Sequence, residues 1–194
     1  PLGECLLAVD YGTAGTHAAV LLGVGVDPAD QRERLYVARE FRWVAKDRRR
    51  QLTDAELSAE LRRWLVEVSA EIPAAAADRL AFVDVDPSAS SFIAQLHRDG
   101  WDRVRLADNA VADGIREVAT LLGPAVDRLR VHASCTGLRA EIPRYVWDPK
   151  KTLKGEDAPI KANDHSCDAM RYGVRRARRW WRHWVGAPDD LDEA

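Results

Sequence analysis

Three aspartates stand where a chain has little local use for an acid. Asp10 closes the apolar run Leu6-Leu7-Ala8-Val9, and Asp86 closes a second run, Leu80 to Val85. Asp168 lies beside a stripe of Cys167, Met170, Val174, Ala177 and Trp181, whose 3,4,3,4 spacing predicts one buried helix face. A single strand-ending Asp is ordinarily a turn or cap residue. Two strand ends and a helix edge can converge, and clustered acids repel and raise one another's pKa unless a cation compensates. The fitting occupant is a divalent metal, a hard ion that takes oxygen ligands. Asp84, two residues before Asp86 and so on the same strand face, competes for the second ligand position. Asp164 shares a helical face with Asp168, Arg171 and Arg175, and is a further possible ligand. Zinc is disfavoured. His165 and Cys167 would be about 200° apart on a helix, and a thiol on the apolar stripe reads as buried and inert.

The elements that must carry these residues follow from periodicity and turn signals. Two runs, Leu6–Val9 and 18–26, joined through Tyr11-Gly12-Thr13, predict a hairpin or meander, with Leu35–Val44 as a third strand and 46–50 as a basic loop. Thr53 and Glu56 form a capping box ahead of Leu57, Leu61, Trp64, Leu65, Val68 and Ile72, a firm helix signature. Strand and helix then alternate: strand 80–85, helix 90–98, strand 104–106, helix 114–122, strand 129–132, and helix 136–145 interrupted at Pro143. Residues 146–161 predict a hairpin or loop, and Asn163 is expected to cap a last helix reaching about Trp184. Antiparallel strands followed by βα alternation predict a mixed central sheet flanked by helices.

The 194 residues, 46% hydrophobic and 31% charged, suit one globular domain, 1–194, and exclude disorder. No apolar run approaches the roughly 20 residues of a membrane span, and no signal peptide opens the chain, so a non-exported domain with no membrane partner is expected. Cys5, Cys135 and Cys167 are odd in number and far apart, which fits a reducing compartment. Pro1–Gly3 is expected to be an expression scar, and 185–194 an acidic tail. Net charge is −2, but residues 128–184 hold 14 Lys and Arg against 6 Asp and Glu. With Trp147, Trp180, Trp181 and Trp184 among them, this third of the chain is a possible nucleic-acid footprint. His17, His97 and His183 suggest only surface positions.

Three stretches together resemble the C-terminal nuclease domain of the large terminase subunit of tailed bacteriophages. They are Leu7-Ala8-Val9-Asp10-Tyr11-Gly12, the run Asp86-Pro87-Ser88 to Gln95-Leu96, and Asn163-Asp164-His165-Ser166-Cys167-Asp168-Ala169-Met170-Arg171-Tyr172. Gly114-Ile115, His132 to Cys135, Glu141 and Tyr145 fall between them in that family's order. The resemblance implies an RNase H-like α/β fold of the RuvC or resolvase type. It implies a metal-dependent endonuclease that cuts double-stranded DNA during viral genome packaging, using two divalent ions, Mg2+ or Mn2+. Asp10, Asp86 and Asp168 become metal ligands and catalytic residues, with His165 a catalytic neighbour. A motor ATPase domain is expected before residue 1, since no Gly-x-x-x-x-Gly-Lys-Ser/Thr loop is present. Portal and small terminase subunit are the further partners, and the host cell cytoplasm the location.

Ala89 and Ser91 stand where many relatives carry a glutamate and a lysine, and 107–110 lack the lysines of relatives, so DNA contacts are sought elsewhere. The candidates are Lys150, Lys151 and Lys154 beside the metal-binding helix, and Arg175 and Arg179 on it. Three rivals remain: another RNase H-like nuclease or resolvase, a catalytically idle DNA-binding or docking module, and a sugar-kinase or actin-like ATPase. The last reads Asp10-Tyr11-Gly12-Thr13 as a phosphate loop, but the chain lacks the second loop that fold needs.

Overall fold

A computed structural model describes residues 1–12 and 15–186; the expected acidic tail lies almost wholly outside them. Six strands form one mixed sheet in the order β5-β4-β1-β2-β3-β6. β1 (Leu2–Tyr11), β2 (Thr16–Val26) and β3 (Glu33–Val44) make an antiparallel meander. β4 (Val83–Val85) runs parallel to β1, β5 (Val104–Leu106) parallel to β4, and β6 (Leu129–Val131) parallel to β3.

Strand alternation divides the core. Cys5, Leu7 and Val9 of β1 face one side, where they pack with Leu57, Leu61 and Leu65 of α2 (Asp54–Ser69) and Phe92 and Leu96 of α3 (Ser90–Arg98). Leu6 and Ala8 face the other, against α4 (Val111–Leu122), α5 (Thr136–Glu141) and α7 (His165–Arg176). Asp10 has the parity of Leu6 and Ala8 and therefore falls on the α7 face. The α2 capping box forms as the sequence dictates, with Thr53 Oγ1 accepting from Glu56 N.

Helix α7 is buried on all sides from Ser166 to Arg175, which explains why its hydrophobic stripe accounts for only part of its surface. Gly173 makes the seat possible: a Cβ there would stand 2.4 Å from Leu22 Cδ1 and 3.3 Å from Ala8 Cβ. The helix therefore lies directly on β1 and β2 at the one position where it offers no side chain.

Several local expectations need correction. Residues 46–50 are not simply a loop, because Ala45–Arg48 form the short helix α1, anchored by Ala45 N donating to Gly15 O at 2.9 Å. Asn163 does not cap the last helix: it takes φ +51°, and Asp164 occupies the N-cap position without a side-chain capping bond. The cap comes from far away in sequence. Glu141 Oε2 accepts from the backbone of Ser166 at 2.8 Å and of Cys167 at 3.0 Å. Nor is the last helix continuous. It breaks at Ala177 into α8 (Arg178–Trp181) and a 3-10 turn, with Trp181 Nε1 folded back to donate to Val174 O. His17 is buried against Tyr11, with ring centroids 4.7 Å apart, and is not a surface residue.

Residues 146–161 form a loop closed at its base. Trp147 and Pro159 make an antiparallel bridge, and Asp148 caps α6 (Pro149–Thr152) by accepting from Lys150 N at 2.8 Å. The tip is thus a helical turn carrying exposed Lys150 and Lys151, with Lys154 exposed in the turn that follows.

Candidate active site

Parallel pairing of β4 with β1 puts Asp86 beside the end of β1, with Asp86 N donating to Val9 O at 3.0 Å. Helix α7 crosses the same end and contributes His165 and Asp168. Asp10 and Asp168 are both 6% exposed. Burial raises the Asp10 carboxyl above its usual range. The hydrogen bond with His165 works against that rise, and the charges of Asp168 and Asp86 add to it. Asp10 therefore lies within reach of the charges of both Asp168 and Asp86.

Each acid nevertheless has a protein partner. Asp10 Oδ2 lies 2.8 Å from His165 Nδ1, and that bond raises the His165 pKa against the effect of burial. Asp86 Oδ1 accepts from Ser88 N at 2.9 Å in a tight turn, the ordinary role of a strand-ending Asp. Asp168 has the fullest set. Its Oδ1 accepts from Tyr145 Oη at 2.8 Å and from Arg171 Nε and Nη2, each at 3.2 Å, while Oδ2 accepts from Lys161 Nζ at 2.6 Å. Burial would raise Asp168, but Arg171, Lys161 and Tyr145 outweigh it and hold the carboxyl low. Among the described residues, no three His, Cys, Asp or Glu side chains enclose an ion-sized space as they stand.

The donor chemistry still suits a hard cation. The charges of Asp168 and Asp86 raise the Asp10 carboxyl, and a cation already rests against Asp168 and Asp164, since Lys161 Nζ also lies 3.2 Å from Asp164 Oδ2. That Asp164 oxygen is buried, and the Lys161 ammonium is the cation paired with it. Exchange of the exposed Lys161 for a divalent ion would leave the same acids neutralised.

Asp84 is placed apart from this cluster. It is 1% exposed, and both its oxygens accept from Arg176 Nε, at 2.7 and 2.8 Å, near the far end of α7. Burial lifts its carboxyl to about 6. Arg175 is not available to DNA: it is 7% exposed and pairs with Asp108 and Glu117. Arg179 is exposed, but its guanidinium lies 3.2 Å from Glu4 and 4.8 Å from the Phe82 ring centroid. Lys150, Lys151 and Lys154 make no ion pair among the described residues. Sequence reasoning assigns Lys161 no role beyond that of one more lysine of loop 146–161 facing the DNA backbone, and its three-residue spacing from Asp164 is the available signal. It assigns none to Glu40 and Arg42 either, which meet Glu141 and Ser166 beneath the start of α7.

A mixed sheet with the meander first, parallel strands after it and an acidic helix across its end defines the RNase H-like class. Similarity to known proteins narrows it. The large terminase of a thermophilic bacteriophage is 33% identical, with a TM-score of 0.76 over 91% of this chain and 39% of that one. The terminase large subunit of Escherichia phage T5 is 26% identical over 174 residues, 88% of this chain and 35% of that protein. The nuclease domain of the phage SPP1 large terminase, solved with bound Mn, has the same fold. Its TM-score is 0.58 at 17% identity, over 90% of this chain and 87% of that one. No protein-family model matches. The chain is a homologue of phage large terminases with the RNase H-like fold of their nuclease domains. It spans less than half the length of the thermophilic-phage and T5 proteins. Among the described residues no helix is long and apolar enough to cross a membrane.

Proposed function

We propose that this chain is the nuclease domain of a phage large terminase and hydrolyses phosphodiester bonds of double-stranded DNA during genome packaging. The observation that supports the reading most is His165 of α7 bonded to Asp10 at the end of β1, with Asp86 bonded through its backbone to Val9 beside it and Asp168 one turn along α7. Asp10, Asp86 and Asp168 would hold two divalent ions, Mg2+ or Mn2+, with Asp164 within reach. When bound, such ions supply positive charge to the attacking and leaving oxygens of an in-line displacement.

The chain's own residues have separable tasks. His165 holds the Asp10 carboxylate in one orientation. The buried walls of α7 and β1 keep bulk water from the acids and so strengthen every charge interaction there. Lys150, Lys151 and Lys154 stand on the loop that leads through Lys161 into α7, where they can grip a backbone the carboxylates would repel. No described element resembles a base-reading module, so cutting with little sequence preference is expected. A motor ATPase domain elsewhere in the full protein, the portal and the small terminase subunit are the proposed partners, in the host cytoplasm.

Incubating the purified chain with supercoiled plasmid across a series of Mg2+ and Mn2+ concentrations tests the reading. Nicking and linearisation that chelator abolishes support it. Tight plasmid binding without cleavage, in a chain that also fails to bind Mn2+, favours the idle module.

A further inference from the structure

The two oxygens of Asp168 have different partners, and the difference is systematic. Oδ1 takes three hydrogen bonds, from Tyr145 and from two nitrogens of Arg171, and so has no lone pair left over. Oδ2 takes one, from Lys161, an exposed side chain with a long flexible stem. Arg171 is 1% exposed, the largest fully buried side chain among the described residues. Its Nη2 also donates to Asn109 Oδ1 at 3.1 Å, and its guanidinium lies 4.6 Å from the Tyr172 ring centroid.

A buried arginine needs room, and α4 provides it. A Cβ on Gly114 would stand 2.5 Å from Arg171 Cγ and 2.9 Å from Cδ. Glycine inside a helix sacrifices stability relative to alanine. Here it opens the channel through which the Arg171 stem reaches Asp168.

We infer that Arg171 and Tyr145 are positioning residues that lock Oδ1 of Asp168, so that Asp168 offers a metal ion one oxygen, Oδ2, in a fixed direction. Lys161 holds that oxygen until the ion arrives. The inference rests on the proposed metal site and deepens it: the ligand set is preorganised by two side chains that touch neither ion nor DNA. Groups that orient a ligand in this way ordinarily change metal affinity by about 10- to 100-fold when removed.

The variants must separate geometry from charge, since deleting the Arg171 cation would by itself favour an incoming cation. Tyr145→Phe removes one neutral hydroxyl, and Arg171→Lys keeps the charge but loses the planar fork. Calorimetric Mn2+ titration of the chain and both variants, beside Asp168→Asn and with metal-free melting curves, is the experiment. The expected result is at least about tenfold weaker Mn2+ binding in Tyr145→Phe with a nearly unchanged metal-free midpoint, and a similar loss in Arg171→Lys. Parental Mn2+ affinity in a folded Tyr145→Phe, with Asp168→Asn weakened, overturns the positioning role and leaves the metal site standing. Parental affinity in Asp168→Asn as well, or no Mn2+ binding by the parent chain, overturns the metal-site reading and the inference with it.

Discussion

His165 Nδ1 sits 2.8 Å from Oδ2 of Asp10, joining the first turn of α7 to the end of the central strand. That bond raises the His165 pKa, although burial opposes the rise. A raised folded-state pKa adds stability that is complete below the unfolded value of about 6.5 and vanishes as pH climbs through the folded value. Relative to His165→Gln, the parent chain should therefore show its largest melting advantage near pH 6 and a shrinking one toward pH 9. An advantage that grows with pH would contradict the pairing. His165→Ala should slow cleavage less than loss of an acid does, as measured by plasmid nicking at saturating Mn2+.

Asp10→Asn, Asp86→Asn and Asp168→Asn should each reduce cleavage to background while circular dichroism shows an intact fold. Asp84→Asn should cut at close to the parental rate, because both Asp84 oxygens are committed to Arg176. Loss of activity at 84 with retention at 86 would mean that the second ligand is misassigned.

Replacing Lys150, Lys151 and Lys154 by alanine should weaken DNA binding and lower the slope of log affinity against log salt by up to about 0.9 for each phosphate no longer neutralised. Mn2+ affinity should hardly move. An unchanged salt slope would reduce these lysines to solubilising residues on an exposed loop.

Arg175 makes the opposite case. Its helical face suggests DNA, yet it is buried beside Gly114 and paired with the exposed Asp108 and the half-buried Glu117. Arg175→Ala should cost stability, on the order of 1 kcal/mol because the carboxylates left behind reach solvent or keep Arg178, and leave the salt slope of DNA binding unchanged. Denaturant unfolding and a DNA-binding titration separate the two outcomes.

All three cysteines are buried, and burial pushes the Cys5 thiol up to about 12 and Cys135 to about 11, with Cys167 raised as well. A thiol-reactive dye at pH 8 should label none of them in the native chain and all three after denaturation. Fast labelling of any one in the folded protein would contradict its placement.

The strands, and the placement of Asp10 and Asp86 at strand ends and of Asp168 on α7, are legible in the sequence because they depend on local signals: apolar runs that end in Asp, the Thr53 and Glu56 capping box, and the 3,4 stripe of α7. What escapes depends on tertiary partners. Glu141 caps α7 from another helix, so Asn163 reads as the cap. Arg175 reads as a DNA contact, because a helical wheel cannot show that α4 gives up a side chain at Gly114 to bury it together with Arg171. Lys161 reads as one more lysine of a basic loop, whereas its ammonium rests on the acids themselves.

The central claim is that Asp10, Asp86 and Asp168 together bind divalent metal. Anomalous diffraction from crystals of this chain soaked in Mn2+ tests it most directly. The predicted result is anomalous peaks bounded by those three carboxylates, with Lys161 withdrawn from Asp168 Oδ2. Peaks confined to other acids, or an undisturbed Lys161–Asp168 pair with no ion bound at the site, would contradict it.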